Sequence, residues 1–126
     1  MADSRKYNLG GNCAIAAAVG YIIVGITFFS LPLIQRGSQG RLQITEYYNS
    51  IASDSSLLEL QYWSFSFAAL MGLAVMIAAN RYFRDLGEDL VDWATVVGLI
   101  GYGVMCTNFI RIADVIPQRA IFFVEG

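Results

Sequence analysis

Four polar side chains stand close together at the end of an apolar stretch: Thr107, Asn108, Arg111 and Asp114. On a helix of 3.6 residues per turn, Asn108, Arg111 and Asp114 share one stripe. An ionisable side chain at membrane depth marks a functional position by default, because it is costly there unless it is partnered. Three roles suit this set. Arg111 can snorkel to the membrane boundary while Asp114 pairs with it three residues on, which is simple anchoring. The same residues can meet another subunit, or line a path for a substrate or proton. Anchoring is the simplest of the three.

Little other chemistry is available. The chain has no histidine, which removes the commonest metal ligand, general base and axial haem ligand. Its two cysteines, Cys13 and Cys106, lie far apart in separate apolar runs and form no CxxC pair. Buried singly, they read as small hydrophobes, with a lipidated Cys13 or a functional thiol as the sharper alternative. Phosphate-binding glycine loops, nucleophile elbows and zinc-protease motifs are all missing. Asp85, Glu88, Asp89 and Asp92 form an acidic cluster that could attract a cation or a basic partner. A solvated, capped turn explains it with less. No metal site is expected. With eight basic and ten acidic residues and no basic run, the chain is not expected to bind nucleic acid.

The elements that must position these residues are apolar. Of 126 residues, 56% are hydrophobic and 14% charged. A soluble domain carries roughly 25% charged residues. The hydrophobic residues gather in bilayer-length runs, so the expected fold class is an all-α membrane protein: a single transmembrane domain over residues 1–126 with three transmembrane helices. The first run, residues 13–34, has 22 residues without a charge. At 1.5 Å per residue it covers about 33 Å, against about 30 Å of hydrocarbon. It is longer than a usual secretory signal core and is read as a span. The second runs over about 57–80, with Ser56 and Glu59 as a capping box and Tyr62 and Trp63 as interfacial aromatics. The third runs over about 92–114. Asp89 and Asp92 are expected at its start, Trp93 as an anchor, and a stop before Pro117. A short apolar tail, 118–126, would dock at the interface or against other helices, or mark a truncated chain or a missing partner.

The loop 35–56 carries Ile44, Tyr47, Tyr48 and Ile51 at near-helical spacing. It is read either as an amphipathic interfacial helix over 42–53 or as an irregular loop with scattered aromatics. The link from Tyr82 to Asp92 is short and contains Gly87, so spans two and three form an antiparallel hairpin.

Orientation is finely balanced. Arg5, Lys6, Arg81 and Arg84 fall on one side, and Arg36, Arg41, Arg111 and Arg119 on the other. Embedding Arg111 tips the balance toward a cytoplasmic N-terminus by the positive-inside rule.

Small residues four apart recur in all three spans: Ala16 and Gly20, Ala68 and Gly72, Ala94 and Gly98. In lipid such pairs let helix backbones approach closely. They are the expected helix-packing positions, with Gly101 and Gly103 adding small surface to the third span. Three helices make a thin bundle, which favours packing against another chain as well as within this one. The expected function is therefore that of a small, non-catalytic integral membrane subunit within a larger membrane protein complex, of which an energy-transducing complex is one host. The alternative is an oligomeric small transporter or channel using Asn108, Arg111 and Asp114 at a shared interface. An enzyme is not expected, because no two carboxylates are set in an apolar stretch. Membrane lipids and other membrane subunits, as homo- or hetero-oligomer, are the expected partners. No cofactor is expected. The two Trp, seven Tyr and eight Phe would suit lipid, quinone or pigment contacts, but no motif calls for one.

Overall fold

The computed structural model describes residues 2–36 and 43–126, with residues 2–8 described in backbone only. Every regular element among them is helical: α1 (Ala2–Ser30), α2 (Ile44–Ser53), α3 (Ser56–Phe83) and α4 (Glu88–Glu125), with 3-10 turns at Leu33–Arg36 and Arg84–Leu86. Three helices, over Leu9–Ser30, Ser56–Leu86 and Glu88–Glu125, are long and apolar enough to cross a membrane. The all-α class stands as expected, and three helices have the length and apolar composition that the expected spans require.

The first span is shorter at its end than the apolar run. Pro32 has no N–H to donate and disfavours helical backbone in the residue before it. α1 accordingly closes at Ser30, with Leu31 N donating to Thr27 O at 2.9 Å. The orphan carbonyls at this end are taken by Arg36, whose guanidinium donates to Leu31 O at 2.9 Å and Phe29 O at 2.6 Å. The same cation lies 5.6 Å from the centre of the Phe28 ring.

The capping box at Ser56 and Glu59 does not form. Ser56 is already the first helical residue, so the frame moves back by one or two positions. Asp54 Oδ1 accepts from Ser56 N at 3.0 Å and from Ser56 Oγ at 2.6 Å, while the Ser55 hydroxyl donates to Glu59. These two bonds from Ser56, the hydroxyl's first, hold the Asp54 carboxyl below the usual carboxylate range. Tyr62 also differs from expectation. It turns inward, half-buried, beside Phe109, whereas Trp63 and Trp93 are exposed as interfacial anchors would be.

The hairpin between α3 and α4 is tighter than the sequence implies. α3 passes into the 3-10 turn and α4 begins at Glu88, leaving Gly87 alone to reverse the chain. Its φ of 146° lies where side chains are rarely tolerated. Gly87 also occupies the N-cap position of α4, with no side chain capping it. Asp92, expected near that cap, instead accepts from Asn80 Nδ2 at 2.8 Å across the hairpin. Asn80 gives its other amide hydrogen to Thr95 Oγ1 at 2.9 Å.

The third span does not stop before Pro117. α4 runs through it for 38 residues, about 57 Å, so the segment 118–126 is helical rather than a loose tail up to Glu125. An interior proline costs about 3 kcal/mol or more. Packing beyond it offsets that cost. Ala120 is fully buried, Ile116 joins the same cluster, and Phe123 lies 5.0 Å from Tyr48, centre to centre.

α3 lies between α1 and α4 and carries most of the interhelix packing; it runs antiparallel to both. α2 settles against the C-terminal part of α4 and the turn after α1. A small core forms there from Leu31, Ile51, Leu58 and Ala120, flanked by Tyr47, Tyr48, Ala52, Tyr62 and Ile116. The segment 42–53 is thus a helix from Ile44, and its apolar side faces protein. Gly37, Gly40, Arg41 and Leu42 lie outside the described residues.

Candidate functional site: the outward face of α4

α4 is applied to α3 by a narrow seam. Gly72 of α3 faces the Tyr102 ring, whose nearest atom would lie 2.7 Å from an added Cβ. Gly98 lies under the Met76 side chain. Phe109 stacks on Phe65 with centroids 4.6 Å apart, and Cys106 Sγ donates to Ser66 O at 3.5 Å. Cys106 is half-buried and packs as a small residue; Cys13 is half-buried on α1, and both are free thiols.

The small residues separate by use. Gly20 meets Ala68, with 3.1 Å between an added Cβ and the Ala68 Cβ. Gly10, which the sequence pattern did not single out, closes the other end of the α1–α3 seam against Ala78. Gly72 and Gly98 belong to the α3–α4 seam. Ala16 is half-buried and Ala94 exposed. Gly101 and Gly103 have no neighbouring atom within 4 Å of an added Cβ. Four of the six expected packing positions, Gly20, Ala68, Gly72 and Gly98, therefore lie in seams within the chain.

Opposite the seam, α4 is open. Only Ala113 and Ala120 of its 38 residues are buried, and both lie in the C-terminal third of the helix. One outward stripe passes through Trp93, Val96, Ile100 and Val104, then through Thr107, Arg111, Asp114 and Gln118, all exposed. Asn108 flanks it and is also exposed. The structure brings Asn108 and Arg111 to one shallow groove with Gly103, Val104 and Thr107. Asp114 stands outside that groove.

The expected Arg111–Asp114 pairing is not made. Asp114 Oδ1 accepts from Gln118 Nε2 at 3.1 Å, and the ion pair formed among the described residues is Arg84–Glu88 at 2.9 Å. The Thr107 hydroxyl folds back onto Gly103 O at 2.9 Å, which removes its polarity from the face. Arg111 is level with the Tyr62–Trp63 turn of α3, since Phe109 lies against Tyr62 and Phe65. It therefore sits at the edge of the apolar layer, where a charge is held at low cost.

The acidic cluster is not gathered into a ligand set. Glu88 pairs with Arg84, and Asp92 accepts from Asn80. No group of three or more His, Cys, Asp or Glu side chains that could hold a metal ion occurs among the described residues.

Gln35 carries no local signal that would single it out. It is nearly buried, at 6% exposure, and its Nε2 donates to Ser50 O at 3.2 Å, Ser50 Oγ at 2.9 Å and Asp54 O at 3.1 Å. It ties the turn after α1 to the end of α2. All three acceptors are at least 15 residues away, so no local pattern could show the clamp. A cleft beside it is lined by Ser30, Pro32, Ser50, Ser53 and Leu57.

No family model matches this chain, and no curated protein or solved structure matches it. What fold and site define is an all-helical protein with three helices fit to cross a membrane, and an outermost helix that is open over its polar and apolar surface alike.

Proposed function

We propose that this chain is a small, non-catalytic integral membrane subunit that works by packing within a larger membrane protein assembly. One observation carries the reading: Asn108, Arg111 and Asp114 are all exposed on α4. Lipid explains the exposed valines and isoleucines of α4. Snorkelling accommodates Arg111 at the edge of the apolar layer, but it supplies no partner for Asn108 on the same side of the helix, which a protein surface would satisfy. The scarcity of buried residues on α4, Ala113 and Ala120 alone, agrees with this. Gentle extraction from the native membrane followed by native mass measurement tests it. A species heavier than 13.9 kDa with associated protein is expected; a stable, partner-free species of 13.9 kDa refutes it.

A second reading, an oligomeric transporter or channel, rests on the groove along Gly103, Val104, Thr107, Asn108 and Arg111. Another copy would convert it into an enclosed path. Flux into liposomes by the wild type and by Arg111→Ala decides: equal, background flux in both removes the idea.

We propose a cytoplasmic N-terminus, from an Arg and Lys balance that is even until Arg111 is counted with the apolar layer. α2 then lies outside, so a cysteine at exposed Ser53 should react with an impermeant reagent added to intact cells.

A further inference from the structure

We propose that the partner of α4 is a second copy of this chain, associated in parallel through the outward stripe, with the two helices crossing at Gly103–Thr107. This rests on the reading of the chain as a subunit of an assembly, and it names the subunit that covers this face.

Two independent features point to a like copy. The first is shape. Gly10, Gly20, Gly72 and Gly98 are each covered by a side chain of a neighbouring helix, but Gly103 is covered by nothing within 4 Å. Four residues on, Thr107 keeps its hydroxyl on Gly103 O. Together they make a small-xxx-small pair with a smooth, non-donating surface, the kind of site at which membrane helices cross closely. It sits inside the apolar run, flanked by Val96, Ile100 and Val104 on the same stripe.

The second feature is charge. Arg111 and Asp114 stand on that stripe, one turn or two beyond the crossing point, and they are not paired with each other. A stripe carrying one positive and one negative group is complementary to itself. In a parallel pair, Arg111 of each copy lies three residues, about 4.5 Å, from the level of the other copy's Asp114. Two-fold symmetry then makes the contact twice, as a self-complementary interface requires. An anionic lipid headgroup would suit Arg111 but meet repulsion from Asp114, so the mixed pair favours protein.

The test uses the whole chain reconstituted in phosphatidylcholine vesicles, with dimer fraction read by single-molecule photobleaching across a range of protein densities. Wild type is expected to dimerise. Arg111→Asp or Asp114→Arg alone puts like charges across the interface and should weaken association about tenfold, and the double reversal should restore it to within about threefold. Gly103→Ile should also weaken it by about tenfold or more. Because a reversal can disturb insertion, a second measurement, in a background with Cys13 and Cys106 both replaced by Ala, uses Thr107→Cys, which should cross-link copy to copy, against Gly25→Cys on α1, which should not. A monomeric wild type, no recovery in the double reversal, or equal cross-linking at both positions overturns the proposal. If the isolated chain is monomeric while another protein accompanies it from the native membrane, this inference fails and the subunit reading stands. A partner-free monomer in both settings removes both.

Discussion

Replacing Gln35 should loosen α2 without unfolding the chain. Its side-chain amide is the polar tie between the turn after α1 and the end of α2, with Nε2 within 3.2 Å of Ser50 O and Oγ and of Asp54 O. The Ser50 carbonyl has other donors, Asp54 N at 3.2 Å and Ser53 Oγ at 2.7 Å, so it is not orphaned when Gln35 is removed. The cost is then that of the lost bonds and a small void: about 1–3 kcal/mol, or about five- to 150-fold in the local opening constant. Hydrogen exchange of the Tyr47–Ser53 amides in detergent reads this directly. Gln35→Ala should raise exchange there by that factor and leave the amides of the α3–α4 seam unchanged. Gln35→Glu sharpens the test. It nearly conserves shape, but as a carboxylate it cannot donate, so it should loosen α2 at least as much. Unchanged α2 protection in Gln35→Ala, or a Gln35→Glu variant that behaves as wild type, would refute the clamp.

Other perturbations probe separate parts of the fold. Gly72→Val would push a Cβ into the Tyr102 ring, at 2.7–3.0 Å, and should destabilise the hairpin by about 1–3 kcal/mol in denaturant titration; Gly25→Ala, with open space around it, should stay within about 0.5 kcal/mol or gain slightly. Pro117→Ala restores a helical hydrogen bond to Ala113 O and should slow exchange across residues 113–121, by up to about 3 kcal/mol in local stability; no change would mean that the proline is not opposing the helix there. The Asp54 carboxyl is held below its ordinary range by the Ser56 hydroxyl and amide, so its stabilising effect on the start of α3 is present above that range and is lost as pH falls through the lowered value. NMR titration should show the Ser56 amide shifting in acid in wild type and not in Asp54→Ala.

The residues differ in how far they could be read in advance. The span lengths, the seam glycines Gly20, Gly72 and Gly98, and the outward Trp63 and Trp93 all follow from local periodicity and composition. Each is a property of one helix in an apolar solvent. Tyr62 could not be placed, because an interfacial and a buried tyrosine look alike until Phe109 is known to lie beside it. The failure of Arg111 to pair with Asp114 was also hidden, since Gln118 offers Asp114 an alternative at the same helical spacing.

By itself the sequence determined that the chain is helical and apolar enough to cross a membrane three times. With backbone groups unable to hydrogen-bond to lipid, a long uncharged run has little choice but helix. Where those helices end, and what they face, was decided only by tertiary structure. Pro32 ends α1 because the chain beyond it turns off to pack on α2 through Gln35, whereas Pro117 lies within α4 because Ile116, Ala120 and Phe123 find α2 while the helix runs straight on. The same residue type gives opposite outcomes: a proline's cost is local, and the packing that offsets it is not.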